Sequence, residues 1–144
     1  MESAPLVALV TLELPVKSTL PRSIGAVAAA FVSVIVATTL IDVILHATNV
    51  FPPWGERMSD SLFGLALAYR LVLDTAGAAL TARLAPSKPM LHALIVGAIG
   101  TVLALVAALA MGDQGPAWYA YGLAASSVPT AWLGALLARR REPA

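Results

Sequence analysis

Hydrophobic residues run almost unbroken through four stretches of the chain, and polar residues gather in the short segments between them. The stretches occupy residues 24–47, 62–82, 90–111 and 118–138. Each has 21 to 24 residues. At about 1.5 Å per residue, a helix of that length crosses a hydrocarbon core about 30 Å thick. Because only a helix pairs its backbone groups within one segment, and no stretch alternates as a barrel strand does, the pattern predicts four transmembrane helices.

Proline, glycine and charged residues break the pattern between the stretches. Proline has no N–H to donate and disfavours helix in the residue before it, so each break ends a helix. Connections this short place consecutive helices side by side in opposite directions. Residues 22–144 are therefore predicted to form an all-α membrane domain, an antiparallel up-down bundle of four transmembrane helices.

Composition agrees with a membrane protein. The chain is 59% hydrophobic and 12% charged, with a mean hydropathy of +0.84, whereas a soluble domain is about 25% charged. The lipid bilayer is thus its expected partner. A net charge of +1 without a basic patch argues against a nucleic-acid partner. The absence of cysteine from the sequence excludes disulfides and thiolate chemistry.

The first 21 residues stand outside this pattern. Their apolar run is interrupted by Glu13 and three prolines, and it is too short to span a bilayer. Three interpretations stay open: a disordered tail, a start codon assigned too far upstream, or a short amphipathic segment on the membrane surface. Residues 24–47 are about twice as long as the apolar core of a signal peptide. We therefore expect them to remain in the protein as an anchor.

Positive charges predict the orientation. One side of the predicted bundle collects Lys17, Arg22, Arg83, Lys88, Arg139, Arg140 and Arg141. The other side has only Arg57. Because cytoplasmic segments are enriched in lysine and arginine, both termini are expected in the cytoplasm.

The second stretch carries two charges near its middle, Arg70 and Asp74, which share one helical face. Asp42 and His46 share a face of the first stretch in the same way, so the four side chains are predicted to form a polar cluster. A lone charge inside a bilayer costs at least about 2.5 kcal/mol. Since arginine before aspartate is the weaker order for a helical pair, we expect Arg70 to meet Asp42 as well. The cluster is either a structural ion pair or a functional site in which His46 titrates near neutral pH.

Small residues recur at every fourth position in three of the stretches, which favours close helix packing. The ridges are Gly25, Ala29, Ser33 and Ala37; Gly100, Ala104, Ala108 and Gly112; and Gly122, Ser126, Thr130, Gly134 and Ala138. They suggest a homo-oligomer or a membrane-protein partner.

Pro129 lies in the middle of the fourth stretch. It leaves the carbonyl of Ala125 without its usual donor, so we expect a kink there, with Ser126 or Ser127 supplying a replacement hydrogen bond. Such a kink occurs both as a structural feature and as the break used by transporters.

Motifs for catalysis, metals or cofactors are absent from the sequence. Asp42 and His46 are too few ligands for a metal, and His92 lies at the opposite end of the predicted bundle. No nucleophile elbow, phosphate loop or dinucleotide fingerprint is present. We expect no cofactor, no metal and no catalytic residue.

Short motifs between Arg22 and Leu137 add a resemblance. They are Trp54-Gly55 followed by Met58-Ser59-Asp60, Ala68-Tyr69-Arg70, Leu80-Thr81-Ala82-Arg83-Leu84-Ala85-Pro86, Pro89-Met90-Leu91-His92-Ala93, Gly115-Pro116-Ala117-Trp118-Tyr119 and Trp132-Leu133-Gly134. With them the chain resembles small uncharacterised bacterial four-span membrane proteins. The resemblance implies the four-span fold and a bacterial inner membrane, and it implies no activity.

Three functions follow as hypotheses. The first is a non-enzymatic inner-membrane protein that packs against itself or serves as an accessory subunit. The second is a small proton-coupled carrier or channel that uses the intramembrane Asp, His and Arg side chains. The third, a membrane enzyme, lacks a visible constellation of reacting groups.

Overall fold

The computed structural model describes residues 19–111 and 115–139. In these ranges the chain forms four α-helices and no strand: α1 (Leu20–Ala47), α2 (Asp60–Leu84), α3 (Pro89–Met111) and α4 (Ala117–Arg139). The prediction of an all-helical chain is confirmed. Most of the predicted segment 1–21 lies outside the described residues, as do Arg140 and Arg141.

Helix α1 begins at Leu20, four residues before the predicted stretch, and Pro21 lies in its first turn. A proline is tolerated there because the first N–H groups of a helix have no partner within the helix. The hydropathy pattern did not predict this extra turn, because the residues between Leu20 and Ile24 are not apolar.

Three of the described helices are long and apolar enough to cross a membrane: Leu20–Ala47, Asp60–Leu84 and residues Pro89–Ala110 of α3. These three predicted spans are confirmed in length and composition. Few of their side chains are buried, and large apolar residues such as Val72, Val102 and Leu109 are well exposed. Helix α4 is not one of the three, because hydroxyl side chains and Pro129 interrupt its apolar sequence.

Helix α4 packs most extensively against α3 and α2. Its Gly134 lies so close to α2 that an added Cβ would stand 2.8 Å from the Cβ of Ala78. On α3, a Cβ added to Gly97 would stand 2.7 Å from the Cβ of Ala131. Helices in lipid gain no hydrophobic drive to associate, so such close backbone approach is what holds them together.

Helix α1 is the least embedded of the four. Of its 28 residues only Ala26 and Ala30 are buried. It packs on α2, where a Cβ added to Gly77 would stand 2.5 Å from Val34, and it touches α3. Within the described residues it makes no contact with α4. A gap therefore remains between α1 and α4.

Helix α4 continues through Pro129. The predicted replacement bond to the carbonyl of Ala125 is not formed: the hydroxyls of Ser126 and Ser127 both donate to the carbonyl of Leu123, at 3.0 and 2.8 Å. A hydroxyl on a helix reaches the carbonyl three or four residues earlier, so neither serine can reach Ala125.

Candidate functional site

A salt bridge joins α1 to α2. Nη2 of Arg70 donates to Oδ2 of Asp42 at 2.9 Å. Both side chains are partly buried, with 31% and 22% of their surface exposed. A charge-assisted hydrogen bond offsets part of the cost of withdrawing two charges from water, so the pair links the two helices at this level.

Tyr69 completes this contact, and sequence reasoning did not include it among the site residues. Its hydroxyl donates to Oδ1 of Asp42, so the two carboxylate oxygens each have one partner from α2. The Tyr69 ring also lies 5.9 Å from the guanidinium carbon of Arg70. The sequence did contain a signal for this role, because Tyr69 is next to a mid-helix arginine. A tyrosine hydroxyl in an apolar environment needs a hydrogen-bond partner.

Asp74 is differently placed from Asp42. Although it follows Arg70 by one turn, none of the described residues donates a hydrogen bond to it, and Arg70 forms its ion pair with Asp42. The Nε of Arg70 is fully buried and also has no hydrogen-bond partner among the described residues. The Asp74 carboxylate is thus a half-buried charge whose hydrogen-bonding capacity is unused.

A cavity of about 420 Å³ lies where α1 and α4 fail to meet. All four helices line it, and most of the lining is apolar or small. Its polar lining residues include Thr38, Asp42, Arg70, Asp74, Ser127 and Thr130. This size and composition are typical of pockets for small molecules, which are mostly apolar with a few polar groups that fix orientation.

Helix contacts place Asp74 of α2 at the same level as Thr130 of α4, and both line this cavity. Phe63 of α2 meets Tyr119 of α4, with ring centroids 5.1 Å apart. Fifteen residues later on both helices, Ala78 meets Gly134. Asp74 and Thr130, each four residues before those last positions, therefore lie at the same level.

The hydroxyl groups of α4 in the cavity already donate their hydrogen atoms. Ser127 donates to the carbonyl of Leu123 at 2.8 Å, and Thr130 donates to the carbonyl of Ser126 at 2.9 Å. Each hydroxyl oxygen keeps lone pairs, so toward a ligand it acts as a hydrogen-bond acceptor.

His46 does not join the predicted cluster. Its Nδ1 lies 2.6 Å from the carbonyl oxygen of Pro52, and its ring stacks on Trp54 with centroids 3.7 Å apart. Because a carbonyl only accepts, Nδ1 is the donor. The chain reverses after α1 through Asn49, whose φ is 57°, and this turn brings the following connection back under His46. The connection after α1, rather than Asp42, is bonded to the ring.

No three His, Cys, Asp or Glu side chains gather as a metal site within the described ranges. The chain matches no protein-family model, and neither a curated protein nor a solved structure is significantly similar to it. The resemblance to bacterial four-span proteins therefore stays a prediction, and the site is the remaining basis for a functional argument.

Proposed function

We propose that the chain is a four-span protein of a bacterial inner membrane, with α4 as the fourth span and both termini in the cytoplasm. The 23 residues of α4, at about 1.5 Å each, reach across a hydrocarbon core. Its hydroxyl side chains Ser126, Ser127 and Thr130 are at least partly buried and donate to backbone carbonyls of the same helix, which lowers the cost of placing them in a membrane. Contacts of Asp42 with Arg70 and of Val34 with Gly77 support opposite directions for α1 and α2.

Within this class, the geometry best supports a small carrier that holds its ligand in the cavity between the four helices. One observation carries the proposal: the cavity contains Asp74, a carboxylate near the middle of a span to which no described residue donates a hydrogen bond. An unpaired charge at that depth is costly, and intramembrane ionisable residues that line cavities are typical of substrate and ion pathways. A purely structural charge would be expected to have a partner, as Asp42 has.

The accessory-subunit hypothesis is based on small residues that permit close helix packing. Several of these residues already pack against other helices of the same chain. Gly97 and Gly134 lie against neighbouring helices. The ridge of α1 is different, because Gly25 has nothing within 4 Å of an added Cβ and Ser33 is exposed. A second copy or a partner helix on this ridge is therefore our second proposal. The molar mass of the purified protein in mild detergent tests it, and a strict monomer would contradict it.

The carrier proposal requires water to reach the cavity, and the absence of cysteine from the sequence makes this measurable. We would compare Ser127→Cys, inside the cavity, with Ser33→Cys, on the outer face of α1. The two serines are matched, because each donates to the carbonyl four residues earlier, at 2.8 and 2.7 Å.

A charged, water-soluble thiosulfonate applied to proteoliposomes should modify the cysteine at position 127 much faster than the one at position 33. Thiolates form in water and scarcely in lipid, so the ratio of the two rates reports hydration. Equal, slow modification of both variants would refute the carrier and leave the packing proposal as the better explanation.

A further inference from the structure

The charges around the cavity do not cancel. Asp42 and Arg70 form an ion pair, and Asp74 adds a second carboxylate, which has no close ion pair of its own among the described residues. The lining contributed by α3 and α4 contains no ionisable side chain. A cavity occupant therefore meets a net charge of about −1 in surroundings where charge is poorly screened.

The hydrogen-bonding groups that Asp74 and α4 contribute to the cavity show the same bias, whereas Thr38 and Thr39 of α1 offer hydroxyl groups that both donate and accept. The carboxylate of Asp74 only accepts, and the oxygens of Ser127 and Thr130 are left as acceptors because their hydrogens are bound to α4 carbonyls. The unpaired Nε of Arg70 is fully buried, so an occupant cannot reach it. Nη2 of Arg70 donates to Asp42, and the negative charge of Asp42 opposes an anionic ligand beside this arginine.

Apolar side chains form the rest of the wall. They include Phe31, Val34, Ile35, Leu103 and Leu123. A small inorganic cation would leave this surface uncovered and would lose its water without enough oxygen ligands to replace it. An organic cation with an apolar body satisfies both parts of the lining.

We propose that the cavity binds a lipophilic monovalent organic cation, a protonated amine with an apolar body, and that Asp74 is its counter-ion, with Thr130 at the same level as a second acceptor. This ligand class rests on the proposed carrier function. The body packs among the apolar side chains of α1, α3 and α4, and the ammonium group lies at the level of Asp74.

The test measures binding of phenethylammonium to the full chain in lipid nanodiscs by equilibrium dialysis, with empty nanodiscs as the blank. Phenethyl alcohol and phenylpropanoate serve as neutral and anionic analogues. Asp74→Asn should weaken phenethylammonium binding by on the order of tenfold to a hundredfold, since it removes a charge-assisted hydrogen bond. Asp60→Asn is the matched control, because Asp60 is exposed in the first turn of the same helix, and it should change nothing.

Equal affinity of the wild type and Asp74→Asn for phenethylammonium would overturn the proposal, as would tighter binding of phenylpropanoate. If Asp74→Asn does not fold, protection of Ser127→Cys decides. Phenethylammonium should slow its modification, and phenylpropanoate should not. A cysteine at position 127 that never reacts refutes the carrier itself. One that reacts without protection by the ammonium refutes only the ligand class.

Discussion

Arg70 lies near two carboxylates, Asp42 and Asp74, and the structure predicts that it is coupled more strongly to Asp42. Two double-mutant cycles measure this: Arg70→Leu with Asp42→Asn, and Arg70→Leu with Asp74→Asn. The two asparagine substitutions are the same, so the second cycle is the control for the first. Tyr69 can still donate to an asparagine at position 42.

The expected magnitudes follow from the contacts. A hydrogen bond between charged groups contributes about 1.5–3 kcal/mol net, and the 31% and 22% exposure of the two side chains places this one at the lower end. We expect the Arg70–Asp42 cycle to give a coupling of about 1–1.5 kcal/mol. For Arg70–Asp74, which lacks a hydrogen bond, a helical pair four residues apart predicts about 0.5 kcal/mol or less.

The assay is the free energy of unfolding of each variant in bicelles, followed by circular dichroism during titration with a denaturing detergent. Each variant must first show the wild-type helical signal without denaturant. A coupling for Arg70–Asp74 that equals or exceeds the coupling for Arg70–Asp42 would refute the assigned geometry. It would also remove the argument that Asp74 is available to a ligand.

Further predictions concern packing, the missed tyrosine and topology. Gly134→Ala should lower the free energy of unfolding by about 1–3 kcal/mol, because its Cβ would stand 2.8 Å from the Cβ of Ala78. Gly25→Ala, whose Cβ meets nothing within 4 Å, should not lower it, since alanine is the better helix former. Tyr69→Phe should cost about 1 kcal/mol through the lost bond to Asp42, whereas Tyr121→Phe, on an exposed ring, should cost almost nothing. A phosphatase that is active only outside the cytoplasm, fused after the last residue, should be inactive; activity would contradict the proposed topology.

Hydropathy and helical periodicity were sufficient to predict the helices. The apolar stretches at residues 62–82 and 90–111 correspond to α2 and α3 with ends shifted by a few residues at most. They succeed because a membrane helix satisfies its own backbone and needs only apolar side chains along its length, which are local properties. The same periodicity identified the faces that carry Asp42 and Arg70, and so the two residues that form the ion pair.

Tertiary structure alone decided how those faces are used. The contact of Gly134 with Ala78 sets the level of α4 beside α2, and the missing contact between α1 and α4 opens the cavity. Both depend on which small residues permit close approach, and in an alanine-rich sequence many positions are equally small. The turn at Asn49, which brings Pro52 to His46, is likewise set by the connection and not by the helix.

Asp42 and Asp74 show most clearly what the sequence determines and what only the tertiary structure determines. In the sequence, each is an aspartate in an apolar stretch, and each is within reach of Arg70. Only the packing of α1 on α2 brings Tyr69 and Arg70 to the two oxygens of Asp42 and leaves Asp74 facing a cavity. The sequence determined which ionisable groups lie inside the protein. The register between the helices determined which of them is available to a ligand. Hydrogen bonds depend on distances of a few tenths of an ångström, which a sequence pattern does not specify.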